Sequence, residues 1–210
     1  MKNKIAIIAN GTIKNKEFHR KSLKDFDIFI CADGGANIAK EIQIIPDYIV
    51  GDLDSINNSV LHYFEDANKT KIIKDDNLDK TDLELAIELA ESLNPLDIAI
   101  FGAIGDRIDH TLANIYCLDK IKPEIKAEII DEKNTIKLIK KDTKILGEKD
   151  DIISILPLSD VSKLNYIGLK WNVENLDTKS GWFGISNKML EDKASINFKD
   201  GKILIVKVRR

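Results

Sequence analysis

Short apolar runs alternate with longer amphipathic stretches through the first 130 residues, the pattern of a parallel sheet covered by helices. The runs KIAIIA (4–9), DIFICA (27–32), DYIV (47–50), KIIK (71–74), DIAIFG (97–102) and AEIID (127–131) predict six strands. Between them, ANIAKEI (36–42), SVLHYFED (59–66), TDLELAIELAESL (81–93) and DHTLANIYCLDKI (109–121) predict helices. The third helix is the most fully specified. Thr81 and Glu84 make a capping box, Leu83, Ala86, Ile87, Ala90 and Leu93 repeat at helical spacing, and Asn94-Pro95 ends the run. Past residue 131 the helical period disappears. TIKLI, TKIL, DIISIL, ASINF and KILIVKV are short β-type runs, and the last two, around Lys199-Asp200-Gly201, predict a hairpin. The expected architecture is an α/β N-terminal domain with a mainly parallel six-stranded sheet (1–125) and a smaller all-β sandwich C-terminal domain (126–210), the boundary falling between 122 and 135.

Composition narrows the function classes. With 43% apolar and 32% charged residues and a formal net charge of -3, the 210-residue chain is neither a disordered tail nor a nucleic-acid binder with a dominant basic field. An anionic ligand must therefore be held locally. No apolar run approaches the ~18 residues of a membrane span, and MKNKIAIIANG breaks at Asn10-Gly11, reading as a first strand rather than a signal peptide. Cys31 and Cys117 have neither disulfide-framework nor zinc-ligand spacing, so a cytoplasmic location is expected.

Ligands of open α/β sheets bind beyond the carboxyl ends of the strands, and here those exits are polar. They read Asn10-Gly11-Thr12, Asp33-Gly34-Gly35-Ala36-Asn37, Gly51-Asp52-Leu53-Asp54-Ser55, then Asp75, Asp76, Asp79, Thr81 and Asp82, and finally Gly102, Gly105, Asp106, Arg107, Asp109 and His110. In ADGGAN the glycines leave N–H groups free to meet an anion; the alternative is a tight strand-to-helix turn capped by Asp33. GAIGDRIDH adds Arg107, a planar fork for phosphate oxygens, with Asp109 able to cap the next helix or orient it. In GDLDS two carboxylates at i and i+2 share one side of an extended backbone, and a divalent cation relieves their repulsion. Magnesium suits such a site, since it takes a few carboxylates together with waters and phosphates. A solvated Asp turn is the alternative for an isolated pair, and Asp82, in the first turn of its helix at a neighbouring exit, shifts the balance toward a metal cluster. His19, His62 and His110 form no metal pattern, although His110 stands where it could touch phosphate. Trp171 and Trp182 are either core residues or stackers on a flat ligand.

Taken together, DGGAN (33–37), GDLDS (51–55), DKTDLELA (79–86), GAIGDRIDHTLAN (102–114) and the later GLKWNV and GISN make the sequence similar to the thiamine pyrophosphokinase family over nearly its whole length. The resemblance implies transfer of the β,γ-diphosphate of ATP to the hydroxyethyl group of thiamine, giving thiamine diphosphate and AMP, in a homodimer whose active site is shared across the interface. It implies that Asp52, Asp54 and Asp82 bind Mg2+ and, with Arg107, serve catalysis. It places Asp33, Gly34, Gly35, Asn37, Asp79, Thr81, Gly102, Arg107, Asp109 and His110 around ATP, and Trp171, Ser186 and Asn187 around thiamine. The chain departs from the family at Asn77-Leu78, where members carry a glutamine or acidic residue before the position of Asp79, and at Asn165-Tyr166-Ile167, where they carry hydroxyl residues before GLKW. The competing readings are a DxD-dependent phosphatase or nucleotidyl transferase and a non-catalytic nucleotide- or thiamine-binding module.

Overall fold

The β-branched runs of the first half become parallel strands because amphipathic helices between them return the chain to the same edge each time. In a computed structural model describing residues 3–75 and 79–209, the order is β1 (Lys4–Ile8), α1 (Lys16–Leu23), β2 (Ile28–Ala32), α2 (Gly35–Glu41), β3 (Tyr48–Gly51), α3 (Asn58–Asp66), β4 (Lys71–Lys74), α4 (Asp82–Ser92), β5 (Asp97–Phe101), α5 (Ile108–Cys117) and β6 (Lys126–Ile130). Strand β1 pairs with β5 and β2, β2 with β3, β3 with β4 and β5 with β6, every pair parallel. Ile5, Ile7 and Ile8 of β1 are fully buried, as expected of a strand covered on both faces. Ala6 and Ile8 join Ala36 and Ala39 of α2, Phe64 of α3 and Phe101 of β5 in one apolar cluster. No described helix is long and apolar enough to cross a membrane.

The chain divides into two compact units, Met1–Glu132 and Lys133–Arg210. The first runs past residue 125 because Lys126–Ile130 pairs in parallel with β5. Helix α1 has no counterpart in the sequence reading. Its N-terminal end enters a side-chain tie within the first unit: Glu132 Oε1 accepts from the backbone N–H groups of Lys14 (2.7 Å) and Asn15 (2.8 Å) and lies 3.1 Å from Nε2 of buried His19. Burial alone would raise the Glu132 pKa, but these backbone donors and His19 outweigh it and bring it down to about 2.

The second unit is wholly β. Strands β7 (Asn134–Ile139), β8 (Thr143–Leu146), β9 (Ile152–Pro157), β10 (Val161–Ile167), β11 (Val173–Thr178), β12 (Gly184–Lys188), β13 (Lys193–Asn197) and β14 (Ile203–Val208) form antiparallel pairs. The order β12-β9-β14-β7 makes one layer and β11-β10-β13-β8 the other. Ile153, Ile155 and Ile205 from the first layer and Leu164, Tyr166 and Ile196 from the second meet in one core, as in a sandwich. The expected ASINF/KILIVKV hairpin does not form. Strand β13 pairs with β8 and β10, and β14 with β7 and β9. Lys199 and Asp200 instead bond to Ser162, so the Lys199-Asp200-Gly201 turn carries the chain from one layer to the other.

Candidate active site

The strand exits of the first unit meet at a cavity of about 890 Å³. The β1 exit supplies Asn10, Gly11 and Thr12, the β3 exit Asp52 and Ser55, and the β4 exit Asp75. Lys80, Thr81 and Asp82 come from the start of α4, and Arg107, Asp109 and His110 from the start of α5. Neighbouring exits are stitched together by backbone, with Gly11 N–H donating to Gly102 O (2.6 Å) and Thr12 N–H to Ile104 O (2.9 Å).

The acidic residues cluster where β2 and β3 end side by side. Parallel register sets Ala32 opposite Val50, and Asp33 N–H donates to Val50 O (2.8 Å), so Asp33 emerges beside Gly51 and Asp52. One carboxylate oxygen each from Asp33, Asp52 and Asp54 lies within 4.8 Å of the others. Asp33 is only 3% exposed, and its Oδ1 is buried with no hydrogen-bond donor among the described residues. Burial raises the Asp33 pKa, the Asp52 and Asp54 charges add to the rise, and bonds from Ser55 and the Gly34 backbone oppose it. The Asp82 pKa is raised as well, first by burial and then by the charges of Asp33 and Asp52. A set of hard oxygen donors with an orphaned buried oxygen fits a divalent cation. The grouping differs from the one expected: Asp33 is the third member of the close set, and Asp82 stands next to it. Asp82 accepts from the Asp52 backbone, and its Oδ1 sits where a Cβ on Gly51 would come within 2.6 Å. Gly51 has φ +143°, so a glycine is needed there both for conformation and for space.

The capping box fixes Asp82. Thr81 Oγ1 accepts from Glu84 N–H (3.3 Å), Glu84 Oε2 accepts from Thr81 N–H (3.0 Å), and the other Glu84 oxygen is held by Lys120. Arg107 makes a two-pronged bond to Asp109, at 3.0 Å from Nε and 2.5 Å from a terminal nitrogen. That bond holds the Asp109 carboxyl well below the usual range. Behind them Thr111 Oγ1 accepts from Gly105 N–H (3.2 Å) and Asn114 donates to Ala103 O (2.8 Å), so α5 grips the loop that carries Arg107.

Of the residues expected around ATP, Thr81, Arg107, Asp109 and His110 line the cavity, while Asp33, Gly34, Gly35, Asn37, Asp79 and Gly102 are not among its lining residues. The two glycines of ADGGAN answer to packing: a Cβ on Gly34 would meet the Asn10 side chain at 2.3 Å and one on Gly35 would meet Ile8 O at 1.9 Å. Lys80, Thr111 and Asn114 escaped the sequence reading. Thr111 and Asn114 carry a signal, lying four and seven residues after Arg107 on one helix face. Asp76 and the departures at Asn77-Leu78 lie outside the described residues.

In the second unit Trp171 is 53% exposed, whereas Trp182 packs against the sandwich core. Asn187 is buried, with Oδ1 accepting from Trp171 N–H (3.0 Å) and Nδ2 donating to Trp171 O (2.6 Å). Its amide therefore holds the Trp171 backbone. Ser186 is exposed, with φ +59°.

Comparison with known proteins covers both units. Residues 19–130 match the family described as Thiamin pyrophosphokinase, catalytic domain, and residues 133–203 match Thiamin pyrophosphokinase, vitamin B1 binding domain. A thiamine pyrophosphokinase of Bacillus subtilis (strain 168) is 32% identical over 186 residues, spanning 86% of each chain. One of Saccharomyces cerevisiae is 26% identical, covering 90% of this chain and 80% of the relative. The crystal structure of a Bacillus subtilis thiamine pyrophosphokinase superposes with a TM-score of 0.88 at 29% identity, covering 98% of both chains.

Proposed function

The chain belongs to the thiamin pyrophosphokinase family, and on that premise we propose that its acidic crevice is the site of diphosphate transfer. The protein is an enzyme that makes thiamine diphosphate from thiamine and ATP. The hydroxyethyl oxygen of thiamine bonds to the β-phosphorus of ATP, the bond from that phosphorus to the α,β-bridging oxygen breaks, the hydroxyl proton passes to a base and AMP leaves. Such chemistry demands alignment and charge neutralisation more than covalent catalysis. The observation that carries the reading is the close set of Asp33, Asp52 and Asp54, with Asp82 beside it, which Asp52 joins to a crevice that Asp52, Asp82 and Arg107 line.

Asp33, Asp52 and Asp54, with Asp82 adjacent, would hold Mg2+, which when bound supplies positive charge to the phosphate oxygens. Arg107 turns its guanidinium from Asp109 toward the phosphates, and Lys80, paired with Glu88 at 2.7 Å in this structure, adds a second cation from the start of α4. Thr81, Asp109 and His110 complete the ATP contacts. Asp82, which lines the crevice beside the acidic set, takes the hydroxyl proton. Trp171 stacks on thiamine, with Ser186 nearby in the chain. Homodimeric assembly with an active site shared between copies, a cytoplasmic location and independence of nucleic acid and membrane belong to the same proposal.

ATP labelled at the β-phosphorus tests the reaction: the label appears in the thiamine product. Label found in AMP or in free phosphate would refute the transfer. AMP formation that proceeds equally without thiamine would favour a phosphatase or nucleotidyl transferase.

A further inference from the structure

Asn37 sits at the exit that the sequence assigns to ATP, yet its side chain serves another purpose. Its Nδ2 donates to Ser55 O (2.9 Å) and its Oδ1 accepts from Asn57 N–H (3.0 Å), so one amide spans the loop between β3 and α3. Turning the amide over would set donor against donor and oxygen against oxygen, so both contacts specify one orientation. The loop it spans carries Asp52 and Asp54. Leu53, between them, has φ +70°, a conformation that a branched side chain adopts only when its surroundings enforce it. Other bonds in this loop run through carboxylates: Asp54 N–H donates to Asp52 Oδ1 (3.1 Å), Ser55 Oγ to Asp54 Oδ1 (2.8 Å), and the Asp52 backbone to Asp82. A cation that engaged those oxygens would compete with these bonds, whereas the Asn37 bonds use only backbone groups of the loop.

The anchor is itself rigid. Asn37 lies in the first turn of α2, its N–H donates to Gly34 O (3.0 Å), and Gly35 is pressed against Ile8 O of the buried β1 strand. We propose that Asn37 is the positioning residue of the aspartate loop: it fixes Asp52 and Asp54 against Asp33 for a divalent cation and makes no contact with the nucleotide. The proposal rests on the reading of these acids as the cation site.

The test uses the full chain with Asn37→Ala and Asn37→Ser, and Mn2+ as the probe. Losing a paired donor and acceptor should weaken Mn2+ binding, followed by its electron paramagnetic resonance signal, about ten-fold or more for Asn37→Ala and less for Asn37→Ser. Hydrogen exchange at the Leu53–Asn57 amides should quicken by a similar factor, and kcat should fall while ATP affinity measured without divalent cation stays within about two-fold. Unchanged Mn2+ affinity and unchanged exchange, with ATP affinity lowered, would make Asn37 a nucleotide contact and overturn the proposal. If the parent chain binds no Mn2+, the cation reading fails; the exchange rates then decide whether Asn37 holds the loop.

Discussion

Replacing Gly51 with alanine probes the acidic cluster through a methyl group rather than a charge. The added Cβ would lie 2.6 Å from Asp82 Oδ1 and 2.9 Å from Asp33 Cβ, whereas ordinary contact begins near 3.4 Å. The Asp82 carboxylate must therefore retreat by roughly 0.8 Å, and a displacement of that order at a reacting centre costs up to about 100-fold in rate. The alanine must also adopt φ +143°, which adds about 1–3 kcal/mol of strain. For a chain of this length that strain lowers the melting temperature by roughly 2–12 °C. The expected result is a folded protein, checked by circular dichroism, that melts a few degrees lower and forms AMP from ATP and thiamine about 10–100 times more slowly. Turnover within two-fold of the parent, at an unchanged melting temperature, would show that neither Asp82 nor the Gly51 backbone is held as described, and the catalytic role of Asp82 would fall with it.

Three further outcomes follow from the same geometry. Asp54→Asn removes one of three clustered charges on an exposed loop, so turnover should drop about 100-fold or more while the melting temperature holds or rises; near-normal turnover would contradict its part in the cation site. Glu132 has a folded pKa of about 2 against an ordinary 4.5, so the folded chain binds fewer protons than the unfolded chain between those values. Its contribution, at most about 3 kcal/mol, is complete above pH 4.5 and is lost as the pH falls toward 2. Urea melts at pH 7, 4 and 3 should show Glu132→Gln less stable at pH 7 and the difference shrinking in acid; a constant difference would refute the tie. Trp171→Ala should raise the KM for thiamine about ten-fold with little change in melting, because the ring is exposed, whereas Asn187→Ala should lower the melting temperature by loosening the Trp171 backbone; the reverse pattern would make Trp171 a packing residue.

The sequence discloses much of this where one physical signal dominates. KIIK (71–74) becomes β4 with unchanged bounds, and the Thr81/Glu84 capping box forms as read, because both are local. Helix α1 is hard to read from sequence because Phe18, His19 and Leu23 are the only large inward-facing members of an octet whose other residues are charged or, at Ser22, polar. GISN has weak strand propensity, yet Gly184–Lys188 pairs with β9, since tertiary pairing overrides local preference. The aspartates of GDLDS are visible as a pair, but Asp33 joins them only through the register between β2 and β3, which one strand alone does not encode. Asn37 shows the opposite case: its place at a strand exit gives no hint of the bonds that its amide makes to the Ser55 and Asn57 backbone.

The Glu132 tie also sets where the first unit can be cut. A boundary chosen from secondary structure would fall at Ile130, where β6 ends. That cut discards the one carboxylate oxygen shared by the N–H groups of Lys14 and Asn15 and by His19, and leaves a buried imidazole facing nothing polar at Nε2. The smallest portable fragment thus ends at Glu132 or later. In any domain graft or chimera, residues 14–19 and residue 132 must travel from the same parent.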